Sequence, residues 1–310
     1  MLAYVIRRIF FGLIVLAGAS LITFTIAYIV PADPAVAVAG AKADPQTLAV
    51  IRRQLGLDQP LYVQYARYAD RAVHGDLGRS YIRREPVANL ILSRFPATAI
   101  LAVSAIALSL LLGVAAGALA AAYRDRALDN WLLAAALTLV SMPVFWLGTL
   151  LLIGGGLYLR WFPLGVFDGP LSLVLPTLTL ALGSAAYYSR ILHASLSEAL
   201  DQDYIRTAIG KGLSRRAAIL RHALPNAILP LVTIAGLDFS GLLSGVVLTE
   251  TVFNWPGLGR LAFEAVFNLD LPLIMGTVMF SAALVVAANL LVDLLYAWLD
   301  PRIELGAGQS

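Results

Sequence analysis

Apolar residues run along this chain in long blocks rather than in the short stripes of a soluble fold. Six blocks reach membrane length, at roughly 9–30, 97–122, 131–159, 170–189, 226–249 and 271–292. About 20 apolar residues suffice to cross a bilayer as a helix. Five blocks carry no charge, and the fifth in order contains Asp238. None alternates with period two, which excludes the strands of a membrane barrel. Backbone polar groups in hydrocarbon need internal partners, so each block is predicted to be a helix. Arg7 and Arg8 before the first block, with Ala17-Gly18-Ala19 inside it, imitate a secretory signal. The apolar run from Ile9 to Val30 exceeds the roughly 7–15 residues of such a signal, so a retained first span is expected.

The polar stretches give the orientation. Arg7, Arg8, Arg124, Arg126, Arg190, Arg206, Lys211, Arg215, Arg216, Arg221 and Arg302 fall on one side of the predicted spans. The short loops of the other side hold Arg160 and Arg260. The positive-inside rule then places both termini in the cytoplasm. Residues 31–95 lie outside and are too long for a simple connector. There Asp44-Pro45 predicts a helix start and Gly56 its stop, so a small external helical layer is expected. The cytoplasmic stretch 197–225 predicts two short helices. The first runs from Ser197 to Ile209 and ends at Gly210 and Gly212; the second is capped by Ser214 and runs to about Ala223, with Pro225 separating it from span five. Such a pair either rests its arginines on anionic headgroups or docks in a partner's groove, and the residues alone fit both.

Composition agrees with the pattern. Hydrophobic residues make up 60% and charged residues 13%, with mean hydropathy +0.81. Soluble domains average about 45–50% and about 25%. The net charge of +3 and the isoelectric point near 9.2 come from the basic loops, so they do not imply nucleic acid. The absence of cysteine excludes disulfides, thiolate metal sites and cysteine catalysis. Gly210-Lys211-Gly212 lacks the upstream glycine and following Ser or Thr of a phosphate loop.

Residues 203–225 carry the most specific signal. Arg206-Thr207-Ala208, Gly212 and His222-Ala223-Leu224-Pro225 stand in the spacing of the cytoplasmic loop of ABC importer permeases. That loop begins with a glutamate–alanine–alanine triplet, hence its name, the EAA loop. Arg206 replaces the usual glutamate and His222 the usual isoleucine. In these departures the chain resembles the dipeptide/oligopeptide/nickel branch of the family. LGLDQPLYVQY at 55–65, GDLGRS at 75–80, Ser141 to Gly148, Glu250 to Phe253, Pro256 to Arg260, Asn289 to Asp293 and Asp300-Pro301-Arg302 resemble the same branch.

The resemblance implies an all-α, polytopic protein with the type I importer permease fold. Residues 1–95 would form the first span plus the external segment, and 96–306 the permease core. Tyr204, Arg206, Thr207, Ala208, Lys211, Gly212, Leu213, His222, Leu224 and Pro225 would couple the chain to an ATPase. The implied partners are a homologous second permease subunit, two ATP-binding subunits carrying ATP and magnesium, an external solute-binding protein and membrane lipid. No cofactor is expected on this chain, which is a transport subunit and not an enzyme. The implied location is the bacterial inner membrane. The implied substrates are dipeptides or oligopeptides, with nickel chelates or glutathione as the alternative.

Single residues leave choices open. Asp238 either lines the pathway or makes a helix–helix or inter-subunit contact. Glu250 is a substrate or binding-protein contact, or a simple helix end. Phe253 and Trp255 form an external gate or an interfacial anchor. Asp293 is a cap or an inter-subunit partner. His193 and His222 are expected to be ordinary loop residues without metal spacing. A stand-alone secondary transporter would use more mid-membrane charge and paired repeats than this chain has. An intramembrane protease would need a Ser/His or Asp/Asp pair within the spans.

Overall fold

The computed structural model describes residues 2–29, 34–40, 43–165 and 169–299. The expected contributions of Val30, Arg302 and Asp300-Pro301-Arg302 fall outside these residues. Fifteen α-helices and no strand occur among the described residues. In chain order they are α1 Leu2–Ile29, α2 Pro34–Ala39, α3 Pro45–Leu55, α4 Leu61–Val73, α5 Val87–Ala122, α6 Ala127–Ser141, α7 Val144–Leu151 and α8 Val174–Leu200. They continue with α9 Asp203–Gly210, α10 Arg215–Ala218, α11 Leu224–Ala227, α12 Leu229–Leu243, α13 Val247–Val252, α14 Leu258–Phe267 and α15 Leu271–Leu299.

Four straight segments are long and apolar enough to span a membrane, within α1, α5, α8 with its preceding turn, and α15. Two bent pairs raise the count to six. The third block is not one helix. It breaks by 103° at Met142-Pro143, and α7 continues into a π-helical stretch, Leu152–Tyr158. Proline has no amide donor and clashes with the preceding turn, which explains the break. The fifth block bends by 49° between α11 and α12 and stops at Leu243. There Gly245 has φ +107°, and a Cβ on it would come within 2.6 Å of Gly259 N.

The helices fall into two compact units. The first comprises Met1–Thr98, Leu243–Val247 and Pro256–Ser310. In it α1 packs along α15, with Arg8 paired to Asp293 at 3.0 Å. The external layer begins as expected. Asp44 Oδ1 accepts the amides of Gln46 and Thr47, both at 2.9 Å, and Gly56 ends α3 at φ +69°. The Tyr65 hydroxyl lies 2.8 Å from Ser20 Oγ, docking α4 on α1. Val87, Leu90 and Ile91 pack with Leu258, Leu261, Ala265 and Leu273. The Ser80 hydroxyl donates to Asp270, and the Tyr81 amide donates to the same carboxylate at 3.0 Å.

The second unit comprises Ala99–Leu242 and Leu248–Trp255. Here α5 meets α8 at Gly113 and Gly117. A Cβ at either position would fall within 2.7 Å of Tyr188 Cβ or 2.6 Å of Ser189 O. Helices in lipid gain little from hydrophobic association, so small residues at such spacing let backbones approach for dispersion and polar contact. Ser104 and Thr177 hydroxyls meet across the same seam at 3.0 Å.

Candidate functional site

The cytoplasmic stretch folds as a helix pair whose limits differ from those expected. Ser197 to Leu200 complete α8 instead of opening a new helix. The break falls at Asp201-Gln202, and α9 starts at Asp203. Its end is a Schellman turn. The Leu213 amide donates to Ala208 O at 3.2 Å and the Gly212 amide to Ile209 O at 2.9 Å. Gly212 sits at φ +94°, the left-handed region that glycine enters without penalty. Ser214 then caps α10, its hydroxyl accepting the Ala217 amide at 3.3 Å. A π turn, Ile219–Ala223, precedes α11. Pro225 is the second residue of α11 and does not separate two helices. The widened turn before it accommodates the missing amide donor. The break expected at Pro225 falls three residues later, as a bend between α11 and α12.

One face of this stretch is anchored. Ile205, Ala218, Ile219, Ala223 and Ala227 are buried in one cluster with Leu192, Leu196 and Leu231. The opposite face carries most of the predicted residues, whereas Leu224 packs against the buried cluster. Tyr204, Arg206, Thr207, Lys211, Gly212, His222 and Pro225 are exposed; Ala208, Leu213 and Leu224 are half-buried. Arg206 lies 3.5 Å from Asp203, an exposed pair worth little on its own. Arg124 reaches Asp201 at 3.0 Å, and that hydrogen bond holds its guanidinium above its ordinary range. The exposed face is cationic, with Arg206, Lys211, Arg215, Arg216 and Arg221 against Asp203.

The remaining predicted residues do not join this surface. The Tyr188 hydroxyl, on α8, donates to Asp238 on α12 at 2.8 Å, so the acid has a helix–helix partner. Glu250 is fully buried, and Phe253 and Trp255 are buried with it in the second unit. In this structure the two rings therefore form no exposed anchor. Phe253 packs beside Gly148, where a Cβ would come within 3.2 Å of its ring. Asn254, at φ +54°, ties this turn to Gly165 O at 2.5 Å.

Sequence reading missed a buried polar pair. His193 is not a loop residue; it lies on α8, with Nε2 3.3 Å from Asp129 Oδ1 on α6. Asp129 is 4% exposed and also accepts the Asp125 amide at 3.0 Å. The only signal was an acid just before the third apolar block. It missed the Asp270 lock as well, although an acid before Leu271-Pro272 marks a helix start. No cluster of three or more His, Cys, Asp or Glu that could hold a metal occurs among the described residues.

The comparisons give the family. Residues 113–305 match the family model described as binding-protein-dependent transport system inner membrane component. Residues 1–102 match the N-terminal model of binding-protein-dependent transport system membrane components. The glutathione transport system permease protein GsiC of Escherichia coli K12 is 41% identical over 304 residues, covering 98% of this chain and 99% of that protein. The probable D,D-dipeptide transport system permease protein DdpB of the same strain is 40% identical over 335 residues, covering 98% of each. Among solved structures, an inward-facing MetNI methionine ABC transporter gives a TM-score of 0.56 at 16% identity, covering 68% of this chain and 96% of that one. An amino acid ABC transporter gives 0.52 at 19% identity, covering 70% and 95%. These two show the fold. The chain belongs to the binding-protein-dependent inner membrane components of ABC importers, and it is a bacterial inner-membrane permease subunit without catalytic function of its own.

Proposed function

We propose that this permease imports short peptides, dipeptides or oligopeptides or the tripeptide glutathione, with a homologous second permease forming the other half of the pathway. Relatives named for glutathione and for D,D-dipeptides, at 41% and 40% identity, support that substrate class. Residues 1–95 supply the first span and external segment, and 96–306 the permease core. An external binding protein delivers the substrate. Two ATPase subunits, which bind ATP with magnesium, grip the face built by Tyr204, Arg206, Thr207, Ala208, Lys211, Gly212, Leu213, His222, Leu224 and Pro225.

The observation that carries this reading is the anchored helix pair. Its buried side ties it to α8 and α12, while its charged side faces outward. Force applied to that face would move both helices together, as alternating access by rigid-body motion requires. Arg206 stands where a glutamate is usual, so the partner's complementary charge at that point is acidic. Asp238, held by Tyr188, lies on a helix of the pathway and meets the peptide's amino group when Tyr188 releases it; Glu250, Phe253 and Trp255 form the closed outer gate.

Reconstitution with the ATPase, second permease and binding-protein partners tests the coupling. Gly212→Val should insert normally and keep ATP hydrolysis while peptide uptake falls about tenfold, because a β-branched residue is strained in the left-handed region. No Cβ clash confuses the result, since nothing lies within 4 Å. Full uptake by Gly212→Val, or peptide uptake by this chain without ATPases, would defeat the proposal.

A further inference from the structure

The external layer of the first unit lines an open cavity of about 970 Å³ that the transport reading does not use. Its wall carries five arginines, Arg53, Arg67, Arg71, Arg79 and Arg84. None of the five makes an ion pair with a carboxylate among the described residues. Arg71 reaches only the Arg67 carbonyl, at 3.3 Å, and Arg79 only the Arg84 carbonyl, at 2.8 Å. Two acids share the wall. Asp76 is engaged with the Gly78 amide at 2.8 Å, and Asp70 lies 3.9 Å from His74. The lining therefore keeps three positive charges in excess, five arginines less two aspartates.

A second observation points the same way. Tyr68 lines the cavity, is 8% exposed, and its hydroxyl has no hydrogen-bond partner among the described residues. Burial pushes this phenol up to about 12, so it stays a neutral donor across physiological pH. A buried donor without an acceptor, beside unpaired guanidinium groups, is a place that lacks an anion. Part of the lining is apolar. Phe24 comes from the outer part of α1, and Leu271 and Met275 from the start of α15. Both are membrane-spanning helices, so the cavity stands at the level where hydrocarbon gives way to headgroups.

We propose that this cavity binds the headgroup of an anionic phospholipid from the outer leaflet, its phosphate meeting Arg67, Arg71 and Tyr68. The chemistry is that of basic pockets beside membrane helices, which hold phosphorylated lipid heads. A glycerophosphate head fits the volume, and the apolar part of the lining receives the first methylenes of the acyl chains. A soluble phosphate or peptide carboxylate shares the charge but not the need for that part.

Native mass spectrometry of the detergent-purified transporter complex tests this, with phosphatidylglycerol or phosphatidylcholine added. Phosphatidylglycerol should be retained selectively, and retention should fall as salt is raised. Arg67→Gln combined with Arg71→Gln should weaken it about thirty-fold. Tyr68→Phe, which removes one oxygen and no packing volume, should weaken it about five-fold. Equal retention of the two lipids, or no change in either variant, would overturn the proposal. Binding of inorganic phosphate or dialanine at this cavity, measured by calorimetry with no lipid preference, would overturn it in favour of a soluble anion.

Discussion

Two arginine-rich connections, residues 43–86 outside and 201–225 inside, are fastened by opposite means. The external one depends on remote carboxylates. Asp270, nearly fully buried, holds Ser80 and Tyr81 from 190 positions away, and Glu264 holds Arg83 at 2.6 Å. The cytoplasmic one depends on short-range caps at Gly212 and Ser214 and on apolar pegs, Ile205, Ala218 and Ile219. A carboxylate lock satisfies several buried donors at once, so its loss releases all of them together. Apolar pegs contribute separately, and they leave Lys211, Arg215, Arg216 and Arg221 exposed to face a partner.

The contrast can be broken from either end. Asp270→Ala should have the largest effect, about 3–4 kcal/mol, because it strands a buried hydroxyl and amide and uncaps α15. Hydrogen exchange should rise sharply across 78–84 while 203–218 stays protected. Ile205→Ala should cost about 3 kcal/mol through the cavity it leaves, with the reverse exchange pattern. Equal exchange in both segments for either variant would show that the two layers are not fastened independently. Gly212→Val should cost about 1–2 kcal/mol and show itself mainly in uptake.

The smallest effect is a titration. The Thr47 hydroxyl, followed by backbone amides, holds the Asp44 carboxyl below its ordinary value of 3.8. Its folded value is the lower one. The capping contribution is therefore complete above pH 3.8 and disappears as acid protonates the folded carboxylate. Exchange at Gln46 and Thr47 should rise on acidification, and Asp44→Asn should remove that dependence.

Local chemistry was readable in the chain and distant chemistry was not. The caps at Asp44 and Ser214 and the turns at Gly56 and Gly212 follow from residue type and neighbours, and each formed where expected. By length alone the six apolar blocks marked four unbroken candidate spans and two bent helix pairs. Hydropathy could not show the 103° break, since proline is common in membrane helices. Polar residues such as Arg190 and Glu198 hid how far α8 runs, because they read as the end of the span although the helix continues to Leu200. The pairs Asp129–His193, Tyr188–Asp238 and Ser80–Asp270 join residues between 50 and 190 positions apart. No single-chain pattern marks such partners.

The abrupt turn after Ser141 has a consequence for biogenesis. With 15 residues, α6 measures about 22 Å, short of the roughly 30 Å of hydrocarbon. The polar backbone at the turn also requires neighbours made of protein or water. Left alone during synthesis, this segment is a poor passenger for lipid. α8 supplies such neighbours, packing against α6 with His193 3.3 Å from Asp129, so a nascent chain halted before residue 174 should remain within reach of the insertion machinery.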